Sequence, residues 1–262
     1  MKKYSAILLK TIFLNITFLS AFAEAGSLAI WPIDPVIAQG EQATAIWIEN
    51  KDTETAVLQL RIYDWSQQNG EELLEQQNNI VGSPPIMEIA AGDRQYIRII
   101  RQGPHPTDTE LAFRIIVDEI PVVPEENANA ETAPGITMKM RYSFPLFTYG
   151  DGMEALDTNG GTEDGNPVAD GLSHKVIVEN GQRFLEITNS GKYHAQLKQV
   201  SFIHEDALSE MTTGLLGYVL AGSRNRWPIP DSVLISDVLE ATVNNDLAQN
   251  VPHELSREVV EK

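Results

Sequence analysis

The sequence predicts an all-β protein, with an immunoglobulin-like sandwich in its first half and a smaller β module after it. Three observations support this. Short runs alternate apolar and polar residues at period two, about seven of them before residue 150, and none sustains a helical period. Clusters of Gly, Pro, Asn and Asp separate the runs at short spacing, as in a sandwich. A stretch from Gly150 to Gly171, rich in Gly, Asp, Asn and Glu, divides the chain in two.

The 262 residues allow one large or two ordinary domains, and 42% apolar residues are enough to fill packed cores. Lys2 and Lys3, an apolar run ending near Phe22, and Ala21, Ala23 and Ala25 form the pattern of a cleaved signal peptide over residues 1–23. Lys10, Asn15 and Thr17 interrupt that run, which falls short of the roughly 20 apolar residues a membrane span needs. The mature chain is therefore expected to be exported, with no membrane insertion. With 37 acidic against 19 basic residues and a net charge of −18, nucleic acid is a poor partner. The chain has no cysteine, which rules out disulfides, zinc-thiolate sites and thiol nucleophiles.

In the first module (24–150), Ser27 to Trp31 and Val36 to Ala38 read as one edge strand broken by Pro32 and Pro35. Ala43 to Glu49 and Val57 to Asp64 follow, joined by a turn over Asn50 to Thr55. Gln67 to Asn79 reads as a polar loop, and Ser83-Pro84-Pro85 as a site for a cis peptide. Tyr96 to Arg101 and Leu111 to Asp118 are further strands, the latter with Phe113, Ile115 and Val117 on one face. Pro121 to Pro134 is too polar to pack and reads as a mobile loop. It leads into a long strand, Ile136 to Phe147, whose Ile136, Met138, Met140, Tyr142, Phe144 and Leu146 share one face. A typical strand has about five or six residues. The pattern fits either a last core strand or one that runs past its module and offers an unpaired edge to a partner.

After a linker (151–171), the second module (172–262) has strands at His174 to Glu179, Arg183 to Thr188, Ala195 to Ile203, Leu215 to Leu220 and Arg224 to Ile229. Val233 to Ala241 fits strand or helix, and the charged tail from His253 is frayed. One echo links the modules: Ile46 to Asn50, a turn, then Ala56 to Leu58 matches Leu185 to Asn189, a turn, then Ala195 to Leu197.

Catalysis has no positive support. His105, His174, His194, His204 and His253 lack metal-pair spacing and read as solvated surface residues, and His253-Glu254 does not complete a metalloprotease motif. There is no nucleophile elbow, phosphate loop or dinucleotide glycine pattern. Glu125-Glu126 and Glu163-Asp164 lack the regular oxygen spacing of a calcium loop. No enzyme, metal or cofactor is expected.

Ile30-Trp31-Pro32-Ile33, Ser83-Pro84-Pro85, Phe113 to Pro121 and Arg141-Tyr142-Ser143-Phe144-Pro145-Leu146-Phe147 together resemble the periplasmic chaperones of chaperone-usher pilus assembly, most of all the archaic Csu-type branch. A thinner likeness continues through Leu216 to Leu220. The resemblance implies two immunoglobulin-like sandwiches in a boomerang. It further implies that pilin subunits are gripped by a donated edge strand in the periplasm and passed to an outer-membrane usher. By that match Ile136, Met138 and Met140 are the donated side chains. In better-studied members an arginine in the first strand and a lysine in the long strand hold the subunit's C-terminal carboxylate, and these positions fall on Pro32 and Pro145. The archaic pattern moves the anchor to Arg114, with Arg98 and Arg141 as secondary candidates. The competing role for Arg114 is an internal salt bridge to Asp118 or Glu119. The competing function is a secreted adhesin or carbohydrate-binding module, which exposed loop aromatics such as Trp65 and Trp227 would favour.

Overall fold

A computed structural model of the chain describes residues 28–121, 139–157, 161–162, 168, 171–204, 207–245 and 248–252. The expected signal peptide, Ile136, Met138, most of the loop from Pro121 to Pro134, both acidic pairs and the tail from His253 lie outside the described residues.

The first module contains ten strands: β1 (Leu28–Trp31), β2 (Val36–Ile37), β3 (Ala43–Asn50), β4 (Ala56–Gln68), β5 (Glu71–Gln76), β6 (Ile80–Ser83), β7 (Ile86–Ile89), β8 (Arg94–Arg101), β9 (Glu110–Glu119) and β10 (Arg141–Tyr149). They form a four-stranded sheet in the order β1-β3-β8-β6 and a six-stranded sheet in the order β2-β10-β9-β4-β5, with β7 also paired to β4. The two sheets close on one core. Ile46, Ile48, Ile97 and Ile99 come from the first sheet, and Leu58, Phe113, Ile115, Val117 and Leu146 from the second. Pro32 and Pro35 break the opening strand as expected, so β1 stays with β3 while β2 crosses over to pair in parallel with β10. The peptides before Pro32 and Pro84 are cis.

The second module holds β11 (Leu172–Glu179), β12 (Gln182–Asn189), β13 (Ala195–His204), β14 (Ala207–Glu210), β15 (Leu215–Val219), β16 (Arg224–Pro228), β17 (Leu239–Val243) and β18 (Ala248–Val251). A three-stranded sheet, β11-β12-β16, packs against a sheet ordered β14-β13-β17-β18, with β15 on β13. Leu185, Ile187, Leu197, Phe202 and Leu239 fill the space between them. Of the ambiguous stretch from Val233 to Ala241, only the end from Leu239 is strand.

Gln67 to Asn79 is not a loop. β4 continues to Gln68 and turns back through Asn69-Gly70 into β5. β5 reads EELLEQ and is exposed nearly throughout, so no apolar alternation marks it. Backbone pairing to β4 holds it in place, and Gly70 at the tip bridges to Asn225 in the second module. There φ is +81°, and an added Cβ would lie 2.7 Å from the Arg226 side chain, so glycine is needed.

The echoed asparagines do matching work. Asn50 ends β3, is fully buried, and donates to Glu54 O at 2.7 Å and Ile89 O at 3.0 Å while accepting from Asp52 N–H at 3.0 Å. Asn189 ends β12 and donates to Tyr193 O at 2.7 Å and Val219 O at 3.1 Å while accepting from Gly191 N–H at 2.9 Å. Each amide ties a strand end, the turn after it and a neighbouring segment together. Asn50→Ala and Asn189→Ala should therefore each cost about 2 to 3 kcal/mol, because buried backbone groups lose their partners. Urea midpoints should fall similarly for both; a loss confined to one module would show that the two devices are not equivalent.

Candidate binding site: an open strand edge and the cleft between the modules

β10 pairs along its full length with β9, Arg141 opposite Asp118 through Tyr149 opposite Glu110. On its other side β2 reaches only Phe147 and Thr148. Among the described residues, the backbone from Arg141 to Leu146 therefore has no strand on that edge, and such an edge is a template for a further strand. The core-facing side chains emerge from the module one by one. Leu146 is fully buried, Phe144 is 7% exposed, Tyr142 packs partly against the core, and Met140 is 40% exposed. The apolar parity thus outruns the core that explains its first members.

The reverse face of the same strand is charged and paired. Asp118 on β9 accepts from both Arg141 and Arg61, and Arg61 also donates to the Tyr63 hydroxyl at 2.9 Å. Lys139 pairs with Glu119 at 2.7 Å. Burial pushes the Asp118 carboxyl up, but the hydrogen bonds from Arg141 and Arg61 outweigh it and hold the group below its ordinary value. A depressed carboxyl stabilises the fold above its unfolded value of about 3.9, and that contribution disappears as pH falls through the native value. Asp118→Asn should accordingly be less stable than wild type at neutral pH, with the difference shrinking below about pH 4. A gap between the two urea midpoints that stayed constant down to acid would contradict this.

At the other end of β10 the outer face of the six-stranded sheet is covered by the second module. Trp65, Phe147, Tyr149 and Met153 pack with Tyr218 and Leu220 in a third apolar cluster. Phe147 stacks on His194 with centroids 3.5 Å apart. Glu110 accepts from His194 N–H at 2.8 Å and contacts His194 Nδ1 at 2.9 Å. Gln67 inserts its amide into the second module's backbone, donating to Tyr218 O at 2.8 Å and accepting from Leu220 N–H at 2.9 Å.

Several expectations need correction here. His174 is buried in the second module and His194 is buried at the junction against Phe147 and Glu110, so neither is a solvated surface residue. Trp65 is 2% exposed, and Trp227 lies on β16 against the second core, so neither is an exposed loop aromatic. Junction residues such as Gln67, Glu110 and His194 carried no sequence signal, since their partners lie more than eighty positions away.

Beside this junction lies a cleft of about 330 Å³. Pro32 and Pro145 both line it, together with Asp34, Asp157, His194 and Tyr218, and no lysine or arginine is among the described residues that do. Arg114 stands opposite Pro145 in the strand register. Its guanidinium lies 3.5 Å from the centre of the Trp65 ring and 5.9 Å from that of Tyr218. Only 12% of the side chain is exposed, and its ion pair is with Glu72 at 3.4 Å, not with Asp118 or Glu119. Burial lowers its pKa, with Glu72 acting in the opposite sense, and the group remains a cation. Arg141 shares its face but is tied to Asp118. Arg98 is exposed on β8, in the other sheet, and does not join them. Among the described residues no group of three His, Asp or Glu could hold a metal. No helix there is long and apolar enough to cross a membrane.

Residues 34–153 match the family of pili and flagellar-assembly chaperones, PapD N-terminal domain. None of the curated proteins compared with the chain matches it. Among solved structures, the chain is similar to one described as the CsuC–CsuE chaperone-tip adhesion subunit pre-assembly complex from archaic chaperone-usher Csu pili of Acinetobacter baumannii. Identity there is 27% with a TM-score of 0.69, covering 87% of this chain and 99% of the other. The CupB2 chaperone of Pseudomonas aeruginosa shares the fold at 16% identity and TM-score 0.55, with 85% and 99% of the chains covered. So does the SafA pilin–SafB chaperone complex of Salmonella enterica, at 16% identity and TM-score 0.57, with 87% and 94% covered.

Proposed function

Because the chain belongs to the PapD-like family of pilus-assembly chaperones, we propose that it binds unfinished pilin subunits in the periplasm and delivers them to an outer-membrane usher. The supporting observation is the open edge of β10, where an apolar face continues past the buried Phe144 and Leu146 to the exposed Met140. A subunit sandwich lacking one strand can pair its backbone with such an edge and take alternate side chains into its own core. Met140 is the first donated side chain in this reading, and Ile136 and Met138 continue the same parity. The flexible methionines suit grooves of differing shape, as a chaperone serving several subunits requires.

The subunit's terminal carboxylate is assigned to Arg114. The positions that carry the basic pair elsewhere in the family are prolines here, and the cleft they line offers no described cation. Arg141 and Arg98 remain the secondary candidates, the first tied to Asp118 and the second in the opposite sheet. The functional units are a signal peptide over 1–23, a subunit-gripping domain over 24–150, a linker over 151–171 and a second domain over 172–262. No catalytic step is required, since completing the subunit's fold supplies the driving force for handover.

Co-expression with a pilin subunit lacking its last strand tests the proposal. A one-to-one complex recovered from the periplasm, with the subunit degraded when the chaperone is omitted, is the expected result. Subunit that accumulates equally well alone would reject it.

A further inference from the structure

The outer face of the four-stranded sheet carries a row of side chains that the β10 edge does not use. The register sets Trp31 of β1 opposite Trp47 of β3, and Trp47 opposite Tyr96 of β8. All three face solvent, at 36%, 39% and 47% exposure, and Trp47 meets Tyr96 edge to face with centroids 5.0 Å apart. One exposed ring is ordinary, but three in adjacent strands form a continuous aromatic stripe, the kind of surface that marks an interaction site.

Charge adds a second signal. Arg94 and Arg98 flank Tyr96 along β8 on the same face. Arg94 lies over the Trp31 ring at 5.6 Å and pairs with Glu49 at 3.2 Å, while Lys51 binds the other oxygen of Glu49. Arg98 is exposed and makes no ion pair among the described residues. On the strands of this face two cations, Arg94 and Arg98, stand against the single Glu49, so it is locally positive on a chain whose net charge is −18. The local sign is opposite to that of the molecule.

We infer that this face docks an extended acidic segment of a second protein, beyond the subunit-binding role of β10. Arg98 offers an unpaired fork to a carboxylate, and the rings offer apolar contact to the side chains between acidic residues. Adjacent strands are about 4.8 Å apart, so the row spans roughly 10 Å across the sheet, the length of about three residues of an extended chain. An oligosaccharide would instead need rings lying flat in a common plane, and Trp47 and Tyr96 stand at 65° to each other.

Indole N–H signals of the free chain in NMR test this directly, because the four tryptophans are Trp31, Trp47, Trp65 and Trp227. The probes are a ten-residue peptide combining glutamate with phenylalanine and proline, its lysine-for-glutamate twin, and cellohexaose. The acidic peptide should shift Trp31 and Trp47 and leave Trp65 and Trp227 in place, with an affinity that falls as salt rises. Arg98→Glu should weaken binding at least tenfold, and Trp47→Ala should do the same while the chain stays folded, with its unfolding midpoint lowered only by the lost contact with Tyr96. Equal response to both peptides, response to cellohexaose alone, full binding by Arg98→Glu, or no response at millimolar peptide would each overturn the inference. The titration needs no subunit, so its failure would leave the assignment of β10 standing.

Discussion

A chain carrying Met138→Asp together with Met140→Asp should fold with its usual stability and recover no subunit. Met140 is 40% exposed in the free chain, so a carboxylate there displaces little of its own core. In a complex the same side chain would enter the open core of the subunit. Two donated methionines would bury about 1.5 to 3 kcal/mol each. Replacing them also asks the subunit to bury charge, which adds several kcal/mol per unpaired ion. The sum exceeds what a reversible grip can lose. Co-purification yield, read beside the urea midpoint of the free variant, measures it. Undiminished yield would show that the donated face lies elsewhere, and a collapsed midpoint would assign these side chains to the protein's own fold.

Arg114→Ala should weaken subunit binding by about 2 to 5 kcal/mol, the range for removing one partner of a buried, hydrogen-bonded charge pair. Stability of the free chain should fall less. The guanidinium over Trp65 contributes a cation–π contact of about 1 to 2 kcal/mol, and its ion pair reaches a Glu72 side chain that is 43% exposed. Glu72→Gln separates the two roles, since it removes the internal partner and keeps the cation. If Arg114 anchors a carboxylate, Glu72→Gln should bind subunit at least as well as wild type. Equal losses of binding from both variants would assign Arg114 to the internal pair. Arg114→Lys should restore only part of the affinity, because an ammonium cannot present the planar fork.

Strands with one buried face were legible wherever the core alone set the pattern. Phe113, Ile115 and Val117 on β9 and Phe144 and Leu146 on β10 occupy the faces their spacing predicts. The asparagine echo was legible too, and it marks a repeated hydrogen-bonding device. β5 leaves no mark in the sequence because both its faces meet solvent and its pairing to β4 holds it in place. Trp65 departs from its expected exposure for the opposite reason. Along β4 burial moves from the even-numbered Leu58 and Leu60 to the odd-numbered Trp65 and Gln67, as the covering layer changes from the module's own core to the other module.

Alternation, turn chemistry and the absence of cysteine are local or compositional properties, and from them the sequence by itself determined an all-β chain with one long apolar strand that fits either a core strand or an extended edge. Pairing partners are not local. Only the tertiary structure decided that β10 keeps an unpaired edge, that Arg114 is held between Trp65 and Glu72, and that Trp31, Trp47 and Tyr96 form one row. Each depends on strands distant in sequence meeting in one register, and period two permits many registers until a shared core selects among them.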